Sequence, residues 1–163
     1  MVVGEIINEL LRELRQNMQM HKSLHETDFH AWCFDQVSLL TSKQIEKLDW
    51  ENLIEEVRSM GGSERQELEN RLTVLFIHLL KWKYQKDFRS RSWELSIKEQ
   101  RKRVKRKLEE CPSLKSYLDK AVEEAYSYAI IKAQQETGLP EKTFPEQMPF
   151  ELEKALNEPW MPE

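Results

Sequence analysis

Basic residues are concentrated in one stretch of the chain, residues 81–107. This stretch has 12 basic and 3 acidic residues and a net charge of +9, whereas the rest has 13 basic and 26 acidic residues and carries −13. At 100° per residue, several of these cations share the face of a predicted helix that points away from its apolar side. They are Lys98, Lys102, Lys105 and Arg106, with Arg89 and Arg91 just upstream. Because such a face can neutralise phosphates, the 89–107 segment predicts a surface that binds nucleic acid or an acidic protein partner.

The same charges have a second explanation, which is pairing with carboxylates of the chain itself. Acidic neighbours such as Glu55-Glu56 or Glu123-Glu124 are available for this. A run of charge is commonly just a solvated helix face. The sequence leaves both explanations open.

Two small sets of residues have the donor atoms of a metal site. Glu51 and Glu55 share one helix face, and His78 on another predicted helix could complete a site inside a bundle, although the Glu-x-x-His signature is absent. The second set consists of His21, His25 and His30, whose first two members have the four-residue spacing that lets imidazoles share a metal. The structural explanations are ion pairs for the carboxylates, a half-buried hydrogen bond for His78 and surface positions for the other histidines. We expect no cofactor.

Other signatures of chemistry are absent from the sequence. There is no Gly-rich phosphate loop, dinucleotide-binding fingerprint or nucleophile elbow. Cys33 and Cys111 make no disulfide framework and fit a reducing cytoplasm. No apolar run approaches the ~18 residues of a membrane span, and acidic residues interrupt the N-terminal apolar pattern, so we expect a cytoplasmic protein without a membrane segment.

Apolar residues recur at helical spacing through almost the whole chain. The predicted helices must therefore position the candidate binding and metal-site residues. The first predicted helix covers about residues 2–20, and its apolar stripe could dock on the domain or form a homodimer. Further helices are predicted from Thr27 or Asp28, from Asp49 to Gly61-Gly62, from a capping box at Ser63 to about Gln85, from Ser90 or Ser92, and from Ser113 to Gly138. The predicted fold class is therefore all-α, a single helical bundle of about five or six helices with a proline-rich C-terminal tail.

Several pieces of the sequence, taken in order, carry a family resemblance. They include DFHAW at 28–32, LDWENL at 48–53, HLLKW at 78–82, RSRSW at 89–93 and TGLP at 137–140. With these pieces the chain resembles a bacterial family, well represented in cyanobacteria, that is catalogued as domain of unknown function twenty-nine. The resemblance implies a compact all-α domain over residues 26–163 and leaves an N-terminal amphipathic helix, residues 1–25, outside it. It supplies no catalytic residues, because the family has no assigned activity.

A shorter resemblance concerns Arg71 and His78, which have six residues between them. They resemble the Arg-x(4–6)-His motif of the higher-eukaryote-and-prokaryote nucleotide-binding ribonucleases, which are also small helical bundles. In that chemistry the His would take or deliver a proton while the Arg would hold phosphate. Leu72 stands where that family carries a polar residue. The sequence thus favours a non-catalytic interaction module, with a ribonuclease or a metal site as alternatives.

Overall fold

Helices make up the regular structure of the chain. The computed structural model describes residues 2–163, and the side chains of residues 4, 6–16 and 24–163. The α-helices of this range are Val2–Thr27 (α1), Phe29–Thr41 (α2), Trp50–Tyr84 (α3), Arg91–Glu110 (α4), Leu118–Thr137 (α5) and Leu152–Leu156 (α6). Short 3₁₀ turns lie between them, at Ile45–Lys47, Lys86–Phe88, Pro112–Tyr117 and Glu141–Thr143. The all-α prediction is confirmed.

Packing divides the chain within α3. Residues up to Gly61 form a first compact unit, and Gly62–Glu163 form a second. Helix α1 packs against α2 inside the first unit. The boundary after residue 25, which rests on the extent of the family resemblance, stays a prediction. No helix of the described range combines the length and the apolar composition needed to cross a bilayer.

The first unit is organised by a buried polar network around Trp32. The Trp32 side chain is only 2% exposed, and its Nε1 donates to Oδ2 of Asp49 at 3.2 Å. The backbone N–H of Asp49 donates to Oε1 of Gln36 at 2.9 Å, and Nδ2 of Asn52 donates to Asp49 Oδ2 at 2.6 Å. Buried polar groups need such partners. The Trp of the DFHAW piece and the Asp and Asn of the LDWENL piece thus have a structural explanation.

Several apolar residues of this unit lie at its surface. Phe29, Val37, Trp50, Ile54 and Val57 are between 46% and 65% exposed. A unit of roughly 60 residues buries only about 60% of the surface of its unfolded chain, so it has few interior positions. Trp32, Leu39 and Leu48 fill those positions.

Helix α3 continues through the point where a break was predicted. Gly61-Gly62 does not end a helix and Ser63 does not cap a new one, because all three lie inside α3. Each glycine costs a helix about 1 kcal/mol, whereas starting a new helix requires an unfavourable nucleus. The flanking Glu, Arg, Gln and Leu residues are good helix formers, which favours continuation.

We expect the double substitution Gly61→Ala/Gly62→Ala to raise the free energy of unfolding by about 1–2 kcal/mol. A Cβ at either position would meet no atom within 4 Å, so alanine adds no clash. Urea unfolding followed by far-UV circular dichroism measures the change. Gly138→Ala is the control and should be destabilising, because Gly138 ends α5 with a φ of 67°. A double variant less stable than the parent would contradict the helical conformation at positions 61 and 62.

The second unit contains the main hydrophobic core. Leucines of α3 pack with Phe76, with Ile97 and Val104 of α4, and with a row of alanines on α5. The fully buried alanines are Ala121, Ala125, Ala129 and Ala133. Their four-residue spacing places them on one face, where small side chains let the backbone of α5 approach closely. Ser113 does not cap α5, because residues 112–117 form a 3₁₀ turn that buries Leu114 and α5 begins at Leu118.

Candidate anion-binding site on the fourth helix

The orientation of α4 follows from its sequence. Ser90 caps it by accepting the backbone N–H of Trp93 at Oγ, at 3.4 Å. Ile97, Gln100 and Val104 are buried on one side. The opposite side exposes the predicted set of cations, Lys98, Lys102, Lys105 and Arg106. Their exposure is as predicted, and their role in binding stays a prediction.

Lys107 forms ion pairs with carboxylates of α3. Its Nζ lies 2.7 Å from Oε2 of Glu64 and also contacts a carboxylate oxygen of Glu67. The Lys107 side chain is only 11% exposed. Hydrogen bonds from Lys107 hold the pKa of each glutamate below its usual value, and the same bonds raise the pKa of the lysine. This charge is therefore neutralised within the second unit.

Three further cations of the basic stretch also have carboxylate partners. The pairs are Arg103 with Glu99 at 2.7 Å, Arg106 with Glu110 at 2.6 Å and Lys81 with Glu136 at 2.7 Å. Lys81 also lies over the ring of Trp93, 4.5 Å from its centroid. Internal pairing thus explains part of the basic stretch. Within the described structure the partners are Glu99, Glu110 and Glu136, and not the expected Glu55-Glu56 or Glu123-Glu124.

Two arginines hold the C-terminal tail by its backbone carbonyls. Arg101 donates from Nε to the carbonyl of Ala155 at 2.8 Å and from Nη2 to that of Trp160 at 2.5 Å. Arg89 donates to the carbonyls of Trp82 at 2.8 Å and Pro162 at 3.4 Å. Arg89, a predicted binding residue, therefore has a structural role.

The remaining cations of α4 form an outward row. Arg91, Lys102 and Lys105 are exposed and make no ion pair with the described part of the chain, while Lys98 is 3.9 Å from Oε2 of Glu158. From the helical repeat, these four residues fall within a sector of about 60° and span about 21 Å along the axis. We call Arg91, Lys98, Lys102 and Lys105 the α4 basic row.

Two adjoining cavities lie beside this row, between α4 and the segment around α6. Their volumes are about 330 and 290 Å³. They share the lining residues Arg101, Lys105, Leu156 and Asn157, which define what we call the α4–α6 groove. The groove places a concave surface directly beside lysines that make no ion pair with the described residues.

Sequence reasoning missed Arg101 as a groove residue, although a signal was present. Ile97, Arg101, Val104 and Leu108 repeat at spacings of four, three and four residues, which is the spacing of a buried helix face. An arginine within an otherwise apolar row of this kind indicates a buried charge. Arg101 is 4% exposed.

Arg71 and His78 lie two turns apart on one face of α3. Arg71 Nη2 is 3.5 Å from Oε1 of Glu67, the outer limit of a hydrogen bond. The Nε of Arg71 and the Nδ1 of the half-buried His78 have no hydrogen-bond partner among the described residues. Burial, together with the positive charge of Lys81, lowers the pKa of His78. The imidazole is therefore neutral at neutral pH.

The metal hypotheses gain no geometric support. Glu51, Glu55 and His78 all lie on α3, so the expectation that His78 belongs to another helix is wrong. His25 Nε2 is 2.9 Å from Oε1 of Glu56, and its ring packs against Trp32. The side chain of His21 is outside the described set. Within that set no group of three or more His, Cys, Asp or Glu residues is placed to hold a metal ion.

The first helix presents its apolar stripe to solvent in the described range. Ile6, Ile7, Leu10, Leu11 and Leu14 are between 42% and 54% exposed. The homodimer through residues 2–20 stays a prediction, and the side chains of residues 2, 3, 5 and 17–20 lie outside the described ones.

A family model described as Domain of unknown function DUF29 matches residues 24–161. The chain belongs to this family. The DUF29 match includes α4, α6 and the groove between them, so the basic row lies inside the family domain, and it excludes most of α1. No curated protein and no solved structure matches the chain.

Proposed function

We propose that this DUF29 protein is a non-catalytic interaction module that binds a polyanionic partner, nucleic acid or an acidic protein, through the α4 basic row. The observation that carries the proposal is the exposure of these four cations, of which Arg91, Lys102 and Lys105 make no ion pair with the described residues and Lys98 lies 3.9 Å from Glu158. Cations neutralised inside the fold, such as Lys107, would add little to binding. The row keeps its charge available over a length of about 21 Å.

The charge of the rest of the chain supports a directed encounter. The whole protein has a formal net charge of −4, yet the row is locally positive. A local patch of opposite sign steers a charged partner to one place on the surface, while like charge elsewhere repels it. The acidic remainder therefore favours docking at α4 over diffuse binding. We place this activity in the cytoplasm, a reducing compartment that suits the free Cys33 and Cys111.

Reversing the charge of the row is expected to remove most of the binding. The triple variant Lys98→Glu/Lys102→Glu/Lys105→Glu should bind a 20-nucleotide RNA, a DNA duplex or polyglutamate at least about tenfold more weakly at 50 mM salt. For the duplex, the slope of log affinity against log salt should fall by about 3, because each phosphate contact contributes about 0.9. Fluorescence anisotropy at 50–200 mM salt measures both effects.

The matched control is Lys120→Glu/Lys132→Glu/Lys142→Glu, which changes the net charge equally at exposed lysines away from the row. It should retain most of the affinity. An equal loss in both variants would show that net charge, and not the row, governs binding. If the parent protein binds none of the three polyanions at 50 mM salt, the proposal is wrong.

A ribonuclease is the second candidate function, and one observation favours it. Arg71 and His78 share a helix face, and each has a buried nitrogen without a hydrogen-bond partner in the described structure. An imidazole whose pKa is lowered by burial is neutral near pH 7 and can accept a proton from a ribose hydroxyl. The arginine would hold the neighbouring phosphate.

We expect this candidate, if correct, to cut RNA in the presence of EDTA, because neither residue needs a metal. His78→Gln should then abolish cutting, while His30→Gln, at an exposed position, should leave it unchanged. Gel analysis of a labelled RNA measures the products. Intact RNA with the parent protein, or equal cutting by both variants, would eliminate the candidate.

A further inference from the structure

The α4–α6 groove contains a buried charge whose hydrogen-bond acceptors are neutral. Arg101 is 4% exposed, and its bonds go to the backbone carbonyls of Ala155 and Trp160. Backbone carbonyls satisfy N–H groups but do not cancel a full positive charge. Burial lowers the pKa of Arg101 and nearby Glu158 partly offsets this effect. Since arginine stays protonated in proteins, the groove wall carries a standing positive charge.

Lysines extend this positive charge around the groove. Lys105 lines both cavities, Lys115 lines the larger one and Lys102 the smaller one. All three are exposed and make no ion pair with the described residues. Two carboxylates, Glu109 and Glu158, also line the cavities, which leaves four cations against two anions.

The floor of the groove is aliphatic. Val104, Leu108 and Leu156 line the larger cavity, whose volume is about 330 Å³. This volume is at the lower end of the range for ligand pockets, about 300–1,000 Å³, and suits one side chain as an anchor. An apolar floor inside a cationic rim is complementary to an apolar group flanked by carboxylates.

The chemistry of the lining favours protein over nucleic acid as the occupant. Single-stranded nucleic acid is usually bound by stacking its bases on aromatic side chains. The residues that line the two cavities include no aromatic side chain. A leucine or phenylalanine side chain, in contrast, gains free energy from burial against Val104, Leu108 and Leu156.

We propose that the α4–α6 groove binds an acidic protein segment in which one aliphatic or aromatic side chain enters the larger cavity while flanking Asp and Glu residues meet Lys102, Lys105 and Lys115. This inference rests on the proposed function, because the groove adjoins the α4 basic row. The row supplies long-range attraction, and the groove selects the partner by its apolar anchor. Such a division is typical of interfaces in which a buried anchor carries most of the binding energy.

The test compares two synthetic peptides, Glu-Asp-Glu-Leu-Glu-Asp-Glu and the same peptide with Ser in place of Leu, on the full-length protein. The peptides have equal charge, so any difference reports the anchor. We expect the Leu peptide to bind about tenfold or more tightly, as burial of a leucine side chain implies. Isothermal titration calorimetry gives both affinities.

A protein variant locates the effect in the groove. Asn157 is exposed and lines both cavities, so Asn157→Trp should fill the groove without changing charge or the core. It should reduce binding of the Leu peptide to the level of the Ser peptide and leave binding of polyglutamate unchanged. Asn157→Ser is the matched control and should bind like the parent.

The outcomes separate the two proposals. Equal binding of the Leu and Ser peptides, or a Leu preference that survives Asn157→Trp, would overturn the groove inference. Binding of RNA or duplex DNA without peptide binding would overturn it too, while the proposed function would stand. If the parent protein binds no polyanion of any kind, both proposals are wrong.

Discussion

Phe76→Ala is expected to lower the free energy of unfolding of the second unit by about 3–5 kcal/mol. Phe76 lies in the middle of α3 and is completely buried. Its ring packs against Tyr126, with 6.1 Å between ring centroids, and against Phe150 at 6.2 Å. Removing it would leave a cavity where α3, α5 and the tail meet. Urea unfolding followed by tryptophan fluorescence measures the loss.

Phe88→Ala is the control, because Phe88 is 69% exposed. Its effect should stay within about 0.5 kcal/mol. Trp82 is half-buried, and the guanidinium of Arg89 lies 5.0 Å from its ring centroid. Similar losses in the Phe76 and Phe88 variants would contradict the observed placement of the core.

Arg101→Met is expected to lower stability by about 2–3 kcal/mol and to release the tail around residues 155–162. The substitution removes two hydrogen bonds from a charged donor, each contributing about 1.5–3 kcal/mol. Part of this loss is offset, because the variant no longer buries a charge. Hydrogen exchange at residues 155–162 and the urea midpoint measure the two effects.

Lys102→Met, at the next residue, controls for loss of positive charge on α4. Lys102 is exposed and makes no ion pair with the described residues. The free energy of unfolding of the variant should therefore match that of the parent within about 0.5 kcal/mol, and exchange at residues 155–162 should be unchanged. Faster exchange at residues 155–162 in both variants would indicate that charge on α4, and not the two Arg101 bonds, holds the tail. An Arg101→Met protein more stable than the parent would show that the buried charge costs more than its bonds contribute.

Local signals in the sequence predicted the start of α4 and the end of α5, but not the start of α5. The Ser90 cap and the Gly138 stop each depend on a few neighbouring residues, and both are observed. The predicted helix end at Gly61-Gly62 is wrong, because the helix propensity of the residues on both sides outweighs the cost of two glycines. Start and stop signals are reliable only where the flanking sequence agrees with them.

The exposed apolar faces of the first unit show a second limit of sequence patterns. Helical periodicity places Ile54 and Val57 on one face of α3 with Trp50. It could not tell what covers that face, because coverage depends on partners from elsewhere. All three side chains are at least 46% exposed in the described structure.

The groove could not be assembled from sequence spacing. Its buried arginine bonds to carbonyls 54 and 59 residues further along the chain. A pattern within one helix indicated that Arg101 was unusual, but it carried no information on a tail that arrives from so far away. The exposed lysines, which need only the helical repeat, were predictable.

The tether between Arg101 and residues 155–160 also fixes when the groove can exist during synthesis. Once residues up to about 110 have emerged from the ribosome, α4 and its whole basic row are already outside it. Leu156, Asn157 and the Trp160 carbonyl emerge later, and contacts between distant residues form after local helices. A nascent chain therefore presents the α4 basic row first, and the groove is completed only when the tail docks.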